Sequence, residues 1–201
     1  MTAIAELPAG FVDKVVSAQS TFRSVMDAMA LPGSVQHVAA TPGAPRPMML
    51  ATAAIALTLF DHDTPIWLDA AMSTPEIVRW LKFHSGAPVI ADSSISSFAL
   101  IGNAAGVPEV SRFALGCSEF PDRSTTLIIQ VESLRRGGSY QLCGPGIDGT
   151  AELRALLEPK DLFARLAVNE TLFPRGIDVV LVSGEEIVAI PRTTRLVGQG
   201  G

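Results

Sequence analysis

The chain has 201 residues, 48% of them hydrophobic and only 17% charged, with a net charge of −5 and a pI near 5.2. That length predicts one domain with a large core, 1–201, and the low charge content predicts a surface partly covered by another chain. An acidic balance without a basic stripe argues against nucleic acid.

The elements follow in chain order. Phe11, Val15, Phe22, Val25, Met26 and Met29 recur at helical spacing, so Phe11–Met29 reads as a first helix, stopped by Pro32-Gly33. Ser34–Val38 is a short strand candidate, and TPGAPRP is a loop. MMLATAAIALTLF, Met48–Phe60, is strongly apolar but only about 13 residues long. A bilayer needs roughly 20, so this is a buried helix and no membrane segment is expected. Pro65–Leu68 reads as a strand. Ser73 or Thr74 caps a helix from Pro75-Glu76 to His84, and Pro88–Ala91 reads as a buried strand. This αβαβαβ order predicts an open mixed α/β sheet flanked by helices.

Farther on, Ala99–Ile101 is an apolar run of undecided type. Gly102–Gly106 and Pro108-Glu109 read as loops. Thr125–Leu134 is a long strand, Gly137-Gly138 a turn, and Tyr140–Cys143 the expected antiparallel partner of that strand. Asp161–Leu172 reads as one helix, Ile177–Ser183 and Glu186–Ile190 as a hairpin, and Val197–Gly201 as a fraying tail.

The hairpin carries the chief candidate site. A two-residue Gly184-Glu185 loop makes partner numbers sum to 369, which faces Ile177 with Arg192 and Arg175 with Thr194. Arg175 and Arg192 are then diagonal neighbours on one face, roughly 7–8 Å apart. Two guanidinium forks there could hold a phosphate or carboxylate. The alternative is an Asp or Glu partner within the fold or across a subunit interface, and a bulge at either adjacent proline would break the geometry. Gly144 and Gly146 of CGPGI follow a strand and would let backbone N–H groups approach the same anion, but the run is neither GxxxxGK[ST] nor GxGxxG, and a tight turn that positions the next segment explains it better.

Other chemistry is sparse. Cys117 and Cys143 lack metal-ligand spacing and fit a reducing cytoplasm without a disulfide framework. The N-terminus lacks a basic stretch followed by an apolar one, so it does not read as a signal peptide. His37, His62 and His84 form no HExxH pattern, and no GxSxG elbow exists. Asp61 and Asp63 flank His62 as a turn. Of the three lysines, Lys14 and Lys82 fall on helices and Lys160 at a helix start. None is placed where a pyridoxal phosphate (PLP) lysine would be held. No metal and no cofactor are expected.

FRSVMDAMALPG (22–33), ALTLFDHDTPIW (56–67), GCSEFPDRSTTLIIQV (116–131), CGPGI (143–147), FPRGIDVVLV (173–182) and IPRTTR (190–195) together resemble the PhnH family, the H subunits of the bacterial carbon–phosphorus lyase system. Ile190 stands where leucine is expected and Asp122 where glutamate is usual. The resemblance implies a fold similar to the large domain of PLP-dependent transferases but without PLP. It implies a homodimer that joins the G, I and J subunits in a core complex for phosphonate catabolism. With the G, I and L proteins it implies conversion of ATP and methylphosphonate into α-D-ribose 1-methylphosphonate 5-triphosphate, with no assigned catalytic residues on H.

Overall fold

A computed structural model describes residues 7–39, 42–157 and 161–200. Thr41 of the Pro-rich loop, Lys160 and Gly201 lie outside these residues.

Helix α1 (Lys14–Ala30) starts where Asp13 accepts a hydrogen bond from Val16 N. Strand β1 is only Gln36–His37. Helix α2 (Leu50–Leu59) is apolar almost all round, and Ala51 through Ala56 are buried without a break. Strand β2 (Ile66–Leu68) leads to α3 (Pro75–His84), which has Thr74 as its cap, proline at its start and Ile77, Trp80 and Leu81 buried on one face. Strand β3 is Val89–Ile90, and a 3₁₀ turn at Ser93–Ile95 leads into β4 (Phe98–Ile101), which settles the undecided apolar run.

Strand β5 is Thr126–Gln130, β6 Gly138–Cys143 and β7 Ala151–Ala155. The expected late helix is two short ones, α4 (Leu162–Leu166) and α5 (Val168–Leu172), meeting at Ala167. Strands β8 (Asp178–Ser183) and β9 (Glu186–Ile190) form the hairpin, and the last strand is β10 (Arg195–Gly200).

Among the described residues, seven strands form one sheet in the order β1-β9-β8-β5-β4-β2-β3. Strands β3, β2, β4, β5 and β8 run parallel, and β9 and β1 close one side antiparallel. The runs TLIIQ and DVVLV are continuous rather than alternating because both faces of a parallel sheet are covered. Ile128, Val180 and Val182 turn toward α1, α2 and α3, whereas Leu127, Ile129, Val179 and Leu181 turn to the opposite core.

That second core is covered by an antiparallel three-stranded sheet, β10-β6-β7, together with α4 and α5. Two expectations are corrected here. Strand β6 pairs with β7 and β10 rather than with β5, because β5 is already flanked on both edges by β4 and β8. The tail from Arg195 is not frayed: it pairs with β6 from Arg195↔Cys143 to Gly200↔Ser139, and Leu196 packs against the second core.

Gln130, buried at the carboxyl end of β5, fastens α2 to the sheet. Its Oε1 accepts from Met49 N (2.6 Å) and Thr52 Oγ1 (3.0 Å), and its Nε2 donates to Pro47 O (3.0 Å). The N-terminal segment is strapped to α3 in the same manner: Pro8 O accepts from Trp80 Nε1 at 3.0 Å and lies 3.1 Å from His84 Nε2.

Candidate functional site

The hairpin register is the expected one: Ser183 faces Glu186 and Val179 faces Ile190. The ladder stops there, so Arg175 does not sit on a strand opposite Thr194. Its backbone N–H donates to Leu172 O (3.0 Å) in the turn that closes α5, beside a cis Phe173–Pro174 peptide and Gly176 at φ 134°. The diagonal pairing with Arg192 is lost because the proline and the glycine bend the chain before β8 begins. Asn169 holds the bend: its Oδ1 accepts from Ile177 N and its Nδ2 donates to Ile177 O, at 3.1 and 3.0 Å.

Arg192 grips Asp178, the last residue of the FPRGID motif. Its Nε donates to Asp178 Oδ1 (3.2 Å) and its Nη2 to Asp178 Oδ2, while its backbone N–H also reaches Oδ1 (2.8 Å). Nη2 further donates to Ser124 Oγ (2.6 Å), and Nη1 to Pro121 O (2.6 Å) and Pro174 O (3.4 Å). All five guanidinium N–H groups therefore have acceptors. The side chains of Arg192 and Asp178 are only 15% and 13% exposed. The pair is a clamp that joins both ends of the hairpin to the Pro121–Ser124 loop and the Pro174 turn.

The glycines of CGPGI serve close chain packing. A Cβ on Gly144 would lie 2.8 Å from Thr193 O, and one on Gly146, at φ 84°, would lie 2.3 Å from Ala30 O at the end of α1. The structure thus brings Gly144 against the IPRTTR turn and Gly146 against α1. Between Pro145, Glu170, Phe173, Arg192, Thr193 and Arg195 lies a cleft of about 350 Å³. Arg192 is one of its walls; Arg175 is not. Among the described residues, neither Arg175 nor Arg195 has a side-chain acceptor.

Sequence reasoning missed Asp178 as the partner of Arg192, although the sum of 369 places Asp178 across from Pro191, one residue away. It also missed Arg195, which becomes visible only once β10 is recognised. Asp69 is a further buried carboxylate: at the end of β2, it accepts from Met72 N (2.8 Å) and Gly102 N (2.9 Å) and so ties the carboxyl ends of β2 and β4 together. Among the described residues, no three His, Cys, Asp or Glu side chains gather as a metal site, and no helix is long and apolar enough to cross a membrane.

Helix α1 presents a second surface feature. Val15, Val16, Phe22 and Met26 stand exposed along its outer side, the last two at 50% each. Val12 and Leu31 extend this apolar strip at both ends.

The chain is 43% identical over 201 residues, 98% of both chains, to the α-D-ribose 1-methylphosphonate 5-triphosphate synthase subunit PhnH of Rhizobium meliloti (strain 1021). It is 27% identical over 178 residues, 89% of this chain and 85% of the relative, to the putative C-P lyase subunit protein HtxG of Stutzerimonas stutzeri. The profile of the bacterial phosphonate metabolism protein family PhnH matches residues 9–197, nearly the whole described fold. The chain belongs to the PhnH family of bacterial phosphonate metabolism proteins.

Proposed function

We propose that this chain is an assembly subunit of a carbon–phosphorus lyase complex, required with the G, I and L proteins to make α-D-ribose 1-methylphosphonate 5-triphosphate from ATP and methylphosphonate. The observation that carries this reading is the 43% identity over 98% of both chains to a subunit of that synthase. The arrangement of the molecule supports a structural rather than a chemical role: the most connected charged group, Arg192, is fully used in holding the fold together. The exposed apolar side of α1 offers surface of the kind that obligate interfaces bury.

In this reading the chain works as one α/β domain in the cytoplasm, related in fold to the large domain of PLP-dependent transferases but independent of PLP. It forms a homodimer and joins the G, I and J subunits. Co-expression with tagged G, I and J tests it: the chain is expected to co-purify with them, and a folded chain that never associates overturns the proposal.

A second reading places a phosphate or phosphonate of a shared active site at the cleft between CGPGI and IPRTTR. It is favoured by Arg195, which lines the cleft and whose guanidinium group has no acceptor among the described residues, and by the close approach of Gly144 to the Thr193 backbone beside it. Arg195→Ala should then abolish synthesis while the complex stays assembled. A complex that falls apart instead assigns Arg195 to structure.

A further inference from the structure

The motif GCSEFPDRSTT (116–126) is only partly absorbed by the Arg192 clamp. Its second half forms one wall of a cleft of about 500 Å³ at the amino ends of β4 and β5. The other wall is the segment Ser94–Phe98. The two walls are joined by Thr126 N donating to Ser97 O (3.0 Å) and by Thr125 Oγ1 donating to Ser96 O (2.6 Å). This part of the cleft is therefore held rigidly by the sheet.

Of the residues that line it, four have side-chain donors not spent within the fold, since Ser94 Oγ donates to Asp92 Oδ1 and Ser96 Oγ to Ser93 O. Arg123 lies with its guanidinium 4.2 Å from the centre of the Phe120 ring, a stacking that orients the fork and leaves its N–H edges free. Among the described residues, it has no carboxylate partner. The hydroxyls of Ser97 and Thr126, both half-buried, likewise have no described partner. Ser124 Oγ accepts from Arg192, which leaves its own proton available for a further acceptor. Asp122 also lines the cleft and offsets the charge of Arg123, so an anion would be held by hydrogen bonds as much as by charge.

We propose that this cleft is a binding site for a small tetrahedral oxyanion, the phosphoryl or phosphonyl group of a small molecule. Arg123 supplies the charge, and Ser97, Ser124 and Thr126 supply hydroxyl donors. A guanidinium fork and three hydroxyls on two facing segments suit the three oxygens of such a group. The volume falls within the range of small-molecule sites. The proposal does not depend on the assembly role, and it uses none of the residues of the cleft at Arg195.

Isothermal titration of the full-length protein with inorganic phosphate and, separately, methylphosphonate tests it. Saturable binding is expected, weakened at least about tenfold by Arg123→Ala. The near-isosteric Thr126→Val should weaken it measurably at unchanged melting temperature, and Lys82→Ala, at an exposed position of α3, should leave it unchanged. Preference for methylphosphonate would assign the site to organophosphonates; equal binding would assign it to the phosphoryl group generally. Absence of saturable binding to the wild type up to 10 mM (about the weakest useful range,) overturns the proposal. So does unchanged binding by folded Arg123→Ala. Co-purification of Arg123→Ala with the G, I and J subunits separates failure of this site from failure of the assembly reading.

Discussion

Breaking the Arg192–Asp178 clamp is the sharpest physical test of the fold. Asp178→Asn keeps the volume but removes the charge, leaving the guanidinium facing a neutral amide whose NH₂ cannot accept. Loss of one partner from a buried ion pair costs about 3–5 kcal/mol. The pair here is 15% and 13% exposed, and three neutral acceptors, Pro121 O, Pro174 O and Ser124 Oγ, remain around Arg192. The lower end, about 3 kcal/mol, is therefore expected. For a chain of this size that lowers the melting temperature by about 6–12 °C. Thermal and urea unfolding followed by circular dichroism measure it. The double variant Asp178→Leu with Arg192→Met should recover part of the loss, since apolar replacement of both partners removes the unpaired charge. A shift under about 1 °C for Asp178→Asn, or strictly additive losses in the double variant, would refute the account of the clamp.

Other predictions concern separate parts of the molecule. Gly146→Ala places a Cβ 2.3 Å from Ala30 O at a positive φ, so it should cost at least about 2 kcal/mol by urea unfolding. Gly184→Ala has open space and only its φ of 61° to contend with, so it should cost about 1 kcal/mol. Phe22→Asp with Met26→Asp should leave the melting temperature within about 2 °C, since both side chains are exposed, yet abolish co-purification with partner subunits. At Glu152, the hydrogen bond from Ser139 and then the Arg154 guanidinium hold the carboxyl below its ordinary value of 4.5. A depressed carboxylate contributes stability that is present above its unfolded pKa and lost as pH falls through the folded one. Glu152→Gln should therefore lower stability slightly at pH 7, where the ionised carboxylate contributes, and converge with the wild type as pH falls well below 4.5.

The parts of the fold legible from sequence were those with strong local signals. Thr74-Pro75 and the periodicity of Ile77, Trp80 and Leu81 define α3, and Gly184-Glu185 sets the hairpin register. What escaped was decided by tertiary context. The runs TLIIQ and GSYQLC look like consecutive antiparallel strands, yet β5 is enclosed by β4 and β8, which leaves β6 to start a second sheet. Strand β7, AELRA, has a helix-forming composition and becomes a strand by pairing with β6. Strand β10, rich in glycine, is likewise made by its neighbour. At the candidate site, alternation along strands could relate Arg175 to Arg192 only if the ladder extended past Ile190. The turn at Pro174 and Gly176 ends it earlier and delivers Asp178 to Arg192 instead. The carboxylate partner was one of the two readings the residues left open.

The most direct test of the central claim is reconstitution of ribose 1-methylphosphonate 5-triphosphate synthesis from ATP and methylphosphonate, with the G, I and L proteins, in the presence and absence of this chain. Product is expected only when the chain is present, together with co-elution of the chain with its partners on size exclusion. Full synthesis without it, or a chain that elutes alone, would overturn its assignment as an assembly subunit.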